Sequence, residues 1–154
     1  MLCAFYAVPV ASDSRGPIQI HQAFLDGWPY EKQVEYLNNI TDNFGIDMGY
    51  YDNTRTELEE RGLNSIWRGL HFTEKSKFEM ARAFDQYLHS GDLFLIADDR
   101  QRAQITCVDN QLKAPDSPLG HCDAFFSNAL ALLAMQMFTN KRTSDLGDMN
   151  SLVT

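Results

Sequence analysis

Four aspartates stand where an α/β chain puts its chemistry. Asp52 closes GIDMGYYD, Asp98 and Asp99 close DLFLIADD, and Asp123 opens the apolar run DAFFSNALALLAMQMF. In open α/β sheets, sites form at strand ends and on the turns that follow them. Two carboxylates brought together from distant segments repel, and a divalent cation relieves that repulsion. Mg²⁺ or Mn²⁺ takes one or two carboxylates and completes its shell with water or phosphate oxygens. A pair of such ions stabilises both the attacking and the leaving oxygen of a phosphodiester. Each aspartate also has a purely structural use. At a helix N-terminus it satisfies free N–H groups and faces the positive end of the dipole. In a turn it bonds its own backbone.

His121 lies two residues before Asp123. It can donate to a metal-bound water or a phosphate, or support a ligand from behind; its structural alternative is a backbone contact in a loop. Cys122 between them reads as packing, because neighbouring carboxylates disfavour a thiolate. Lys75 and Lys77 open a helix and suit either a phosphate contact or solvent. Arg55, Arg61, Arg68, Arg100 and Arg102 are too scattered to form a DNA patch.

The elements that must position these groups follow from periodicity. LCAFYAVPV (2–10) is apolar on both parities, as in a strand buried on both faces. ASDSRGP (11–17) is a turn cluster, and IQIHQAFL (18–25) alternates, which predicts an antiparallel hairpin. Val34, Leu37, Ile40 and Phe44 recur at helical spacing, with Pro29 ahead of them and Gly45 as the stop. Residues 45–53 predict a strand with Asp52 at its rim. Residues 53–62 predict a short helix with a Thr54/Glu57 capping box. Residues 65–72 read as extended, and 73–91 as a helix capped by Thr73 with a stripe of Phe78, Ala81, Phe84 and Leu88. A short buried strand at 92–98, a mixed segment at 99–120 and a final helix complete the order. That order is α/β, with right-handed crossovers and a partly parallel sheet.

The chain has 154 residues and a formal net charge of −8, with 44% hydrophobic and 12% aromatic residues. This fits one domain with a real core. It argues against binding nucleic acid through charge alone. Neither a signal peptide, a membrane span nor a P-loop is evident. Three widely spaced cysteines, Cys3, Cys107 and Cys122, predict a reducing compartment with neither a disulfide framework nor a zinc site. The polar stretch 139–154 is expected to form a loose tail behind a domain spanning 1–138.

Several strings in order carry a resemblance. YYDNTRTELEERG, then GLHFTEKSKFEMARAFDQYLHSGDLFLIADDRQ, then LKAPDSPLGHCDAFFSNALAL are similar to the nuclease domain of phage large terminase subunits. The match runs from the first hairpin to about Phe138. The family's last motif is a Gly-His-Gly-Asp run followed by an aromatic, Ser and a small apolar helix. Here it stands as Gly120, His121, Cys122, Asp123, Phe126 and Ser127. The resemblance implies an RNase H-like mixed sheet flanked by helices and a metal-dependent endonuclease using Mg²⁺ or Mn²⁺. The implied substrate is concatemeric double-stranded viral DNA, cut during capsid packaging in the host cytoplasm. The implied partners are the terminase ATPase portion, the small terminase subunit and the portal. Asp52 and Asp123 fall at the second and third of the family's three acidic positions.

The family's first acid lies on a strand ahead of the hairpin, whereas Asp13 falls in the hairpin turn. That strand, its aspartate and the ATPase motor are therefore expected to lie outside this chain, leaving the first strand exposed along one edge. Cys122 replaces the usual glycine, and its side chain would crowd the turn if positive φ is required. Two other readings remain open: a non-catalytic docking module of the packaging motor, and another RNase H-like enzyme such as a resolvase or transposase.

Overall fold

A computed structural model describes residues 2–7, 16–53, 58, 61–113 and 122–151, with side chains from residue 16 to residue 140 within those spans. The element order is β1 (Leu2–Ala7), β2 (Ile18–Phe24), α1 (Tyr30–Phe44), β3 (Gly49–Asp52), β4 (Trp67–Leu70), α2 (Glu74–Ser90), α3 (Asp99–Thr106) and α4 (Asp123–Ser151). The fold is mixed α/β. β1 and β2 form the expected antiparallel hairpin, from Leu2 opposite Phe24 to Ala7 opposite Ile18. β3 and β4 pair in parallel, from Gly49 opposite Trp67 to Asp52 opposite Leu70. The predicted helix at 53–62 and its Thr54/Glu57 box fall largely outside the described residues.

Two stops follow directly from the sequence. Gly45 ends α1 in the left-handed conformation (φ 61°), returning its N–H to the carbonyl of Thr41. Thr73 caps α2 by accepting from the N–H of Ser76, while Ser76 Oγ accepts from the N–H of Thr73. This reciprocal box satisfies two otherwise unpaired donors.

α4 is the organising element and packs against α2, α3, β1 and β3. Buried Ala124, Ala129 and Ala134 let its neighbours approach closely. Its main core joins Ala129, Leu130 and Leu132 to Met80 and Phe84 of α2, with Tyr50 of β3 and Leu70 of β4 against them. Burying a side chain such as Met80 or Phe84 completely is worth about 1.5–3 kcal/mol. A second region under α1 gathers Leu25, Leu37 and Ile40, next to Val34, Tyr51 and Leu58.

The stripe predicted for α2 is only partly the buried one. Ser76, Met80, Ala83 and Phe84 face inward, whereas Phe78 is 64% exposed and Leu88 also lies outside. Three- and four-residue spacing fits both faces, and the position of α4 selects between them. Phe44 likewise ends α1 exposed.

Residues 92–98 do not form a buried strand. Their one ladder contact is a parallel bridge between Phe94 and Ile18, and both Phe94 and Ile96 are exposed. The N–H of Ile96 bonds the Gln19 side chain, and its carbonyl accepts from the Gln101 side chain. Side-chain amides thus take bonds that a neighbouring strand would otherwise make. α4 runs on past Phe138 to Ser151.

Each sheet has two strands among the described residues. β1 pairs on one side with β2, and β3 on one side with β4. An open edge of this kind is a template for another strand. The side of β1 that is unpaired among the described residues is expected to pair with a second copy or with a strand of another chain. Sedimentation of the chain at rising concentration separates the two, self-association marking the first.

The β3–β4 pair also makes a sharp steric demand. A Cβ added to Gly49 would sit 2.3 Å from the Trp67 ring, whose Nε1 is held by Thr41 Oγ1 at 2.9 Å. Gly49→Ala is therefore expected to cost about 1–3 kcal/mol in urea unfolding, the usual cost of overpacking.

Candidate functional site

Asp52 ends β3 and is exposed. The ladder continues one step beyond it, where the N–H of Asn53 donates to the carbonyl of Leu70 at 3.0 Å. Gly69 makes room there, since a Cβ on it would meet the Asn53 side chain at 2.6 Å. Two glycines thus fix the register that carries Asp52 to the strand rim.

Asp123 is the first residue of α4 and is half-buried. Cys122 before it is completely buried and adopts φ 56°. The turn does require positive φ, at about 1–2 kcal/mol for a residue with a Cβ. The cysteine is accommodated through α3. Cys107 caps the C-terminus of α3, its Cα lies 6.1 Å from that of Cys122, and the two sulfurs are bonded. This overturns the expectation of unpaired thiols. The cysteines are 15 residues apart in sequence, and spacing alone cannot show that the chain returns to the end of α3. α3 also caps α4 directly, because Gln104 Oε1 accepts from the N–H of Ala124 at 3.0 Å.

A buried amide network completes the support. Gln19 Nε2 donates to Gln101 Oε1 and to Asn128 Oδ1, at 2.8 and 3.0 Å. Gln101 Nε2 donates to Gln19 Oε1 and to the carbonyl of Ile96, both at 3.0 Å. Asn128 Nδ2 donates to Gln101 Oε1 and to the carbonyl of Ala124. Every N–H and every oxygen of these three side chains is used. The network ties β2, the 92–98 segment and α3 to the first turns of α4.

The rim of the β3–β4 pair meets those same turns. Leu70, the ladder partner of Asp52, lies in the core cluster with Phe125 and Phe126. Phe72, two residues further, packs its ring on Phe126 with centroids 5.5 Å apart. Phe126 stands one helical turn from Asp123. The fold therefore directs the end of β3 and the start of α4 to one region. Lys77 adds a cation there, its Nζ 5.6 Å from the Phe126 ring centre.

The other candidates are placed elsewhere. Asp98 is the N-cap of α3, accepting from the N–H of Gln101. Asp99 pairs with Arg102, Lys75 with Glu79, Arg61 with Glu31, and Arg100 with Asp26. His121 lies outside the described residues. Among the described residues, no group of three or more His, Cys, Asp or Glu side chains is gathered to hold a metal. Two carboxylates such as those of Asp52 and Asp123 are a number that suits Mg²⁺ when a substrate supplies further oxygens. The amide network, Gln104 and the Cys107–Cys122 bond had no periodic signal, and so the sequence did not expose them. No described helix is long and apolar enough to cross a membrane. Comparisons with protein-family models, curated proteins and solved structures found no match.

Proposed function

We propose that this chain is the nuclease portion of a viral DNA-packaging terminase, with an RNase H-like fold. Its substrate is double-stranded DNA, and it works in the host cytoplasm beside the ATPase portion, the small subunit and the portal. The observation that carries this reading is the convergence of the end of β3 and the start of α4, through the Leu70, Phe72 and Phe126 contacts. Asp52 and Asp123 would hold Mg²⁺ or Mn²⁺, and the ion would supply positive charge to the phosphodiester oxygens. The N-terminus of α4 favours an ionised Asp123. Lys77 would approach a phosphate, and His121 would hydrogen-bond the phosphate or a metal-bound water. Nicking of supercoiled plasmid in Mn²⁺ tests this reading. Cleavage by the chain that is no greater than that of Asp123→Ala would overturn it as a lone enzyme.

One observation favours a second reading, a non-catalytic docking module for the portal or another terminase subunit. The chain carries a formal net charge of −8, which suits docking through an acidic surface. Binding to those partners without any nicking would support it.

A further inference from the structure

We propose that the Cys107–Cys122 pair is a redox-set latch on the acid-bearing end of α4. Oxidised, it locks the turn before Asp123 to the end of α3; reduced, it lets that turn relax.

Three observations carry this. The sulfurs are joined at a Cα separation of 6.1 Å, and the bond encloses residues 108–121, His121 among them by sequence. Cys122 sits at φ 56°, a conformation that a residue with a Cβ leaves readily once nothing holds it. The first turns of α4 are also tied to α3 by hydrogen bonds, from the N–H of Ala124 to Gln104 Oε1 and from Asn128 Nδ2 to Gln101 Oε1. Releasing the sulfur bond removes the covalent half of this clamp.

The exchange chemistry is balanced by a low-molecular-weight disulfide of the glutathione type. Cys107 is partly exposed and Cys122 buried, so the Cys107 thiolate attacks first. One small thiol leaves and a mixed disulfide forms. The Cys122 thiolate then attacks the Cys107 sulfur and expels the second thiol. The protein loses two electrons and two protons, and the small disulfide gains them. In a reducing compartment, disulfides that do form are usually transient, catalytic or redox-sensing. The latch rests on the geometry of Cys107, Cys122 and α4, and stands whether or not the chain cuts DNA.

The test uses the full chain equilibrated with oxidised or reduced glutathione. Alkylated in denaturant after each equilibration, one of the three cysteines should react in the oxidised form and all three in the reduced form, read by intact mass. Amide hydrogens of residues 124–128 should exchange roughly tenfold faster in the reduced form, an opening penalty one decade smaller. The oxidised form should melt about 6–12 °C higher, as expected for closing a loop of this length. Cys107→Ser should show the fast exchange under both conditions. Cys122→Ser, which also cannot form the bond, should likewise show fast exchange under both. Equal exchange in the two forms of the unmodified chain, or no crosslink in oxidised glutathione, would overturn the proposal. The unmodified chain answers this even if a variant fails to fold.

Discussion

Replacing Gln101 by leucine is expected to lower the melting temperature by roughly 10 °C, read by circular dichroism. Gln101 is 1% exposed and central to the amide network. Its loss leaves one N–H of Gln19, one N–H of Asn128 and the carbonyl of Ile96 without their present partners. Each buried polar group left unpaired costs about 1–3 kcal/mol. Leucine of similar size returns some apolar burial, so the net cost is roughly 3–5 kcal/mol. At about 2–4 °C per kcal/mol for a chain of this length, the shift follows. The exposed bond between Gln136 and Gln86 supplies the contrast. Gln86→Ala is expected to change stability by no more than about 0.5 kcal/mol. A Gln101→Leu protein as stable as the parent would mean that the network adds nothing to the fold.

The second large effect concerns the proposed chemistry. Asp123→Ala is expected to reduce Mn²⁺-dependent plasmid nicking by more than about 100-fold, the upper range for groups that merely support a metal ligand. Asp52→Ala should reduce it comparably. Removing both should cost little more than removing one, because groups that act as a unit are not additive. Asp99→Ala is the matched control. It removes a carboxylate already paired with Arg102 on the surface and should leave nicking unchanged. Circular dichroism of each variant separates lost chemistry from lost fold, since Asp123 also opens a helix and contributes about 0.3–1 kcal/mol there through the dipole. Residual nicking by Asp123→Ala equal to the parent would remove this residue from the site.

The sequence by itself determined most of the local structure. Alternation gave the β1–β2 hairpin, and three- and four-residue spacing gave α1, α2 and the apolar start of α4. Gly45, Thr73 and Gly91 marked helix ends because caps and left-handed stops are local chemistry. The positions of Asp52 at a strand rim and Asp123 at a helix start were legible for the same reason. Tertiary structure decided which faces those elements present. Phe78 faces outward and Met80 inward because α4 lies on that side of α2. Gln19 is buried while its neighbour Ile20 is 44% exposed. A buried glutamine is tolerated only where Gln101 and Asn128, 82 and 109 residues away, complete its bonds. Cys122 pairs with Cys107 for a similar reason, across 15 residues that carry no periodic signal. Periodicity records which residues share one face of one element. It does not record which distant side chains satisfy one another, and that matching fixes the start of α4 where Asp123 stands.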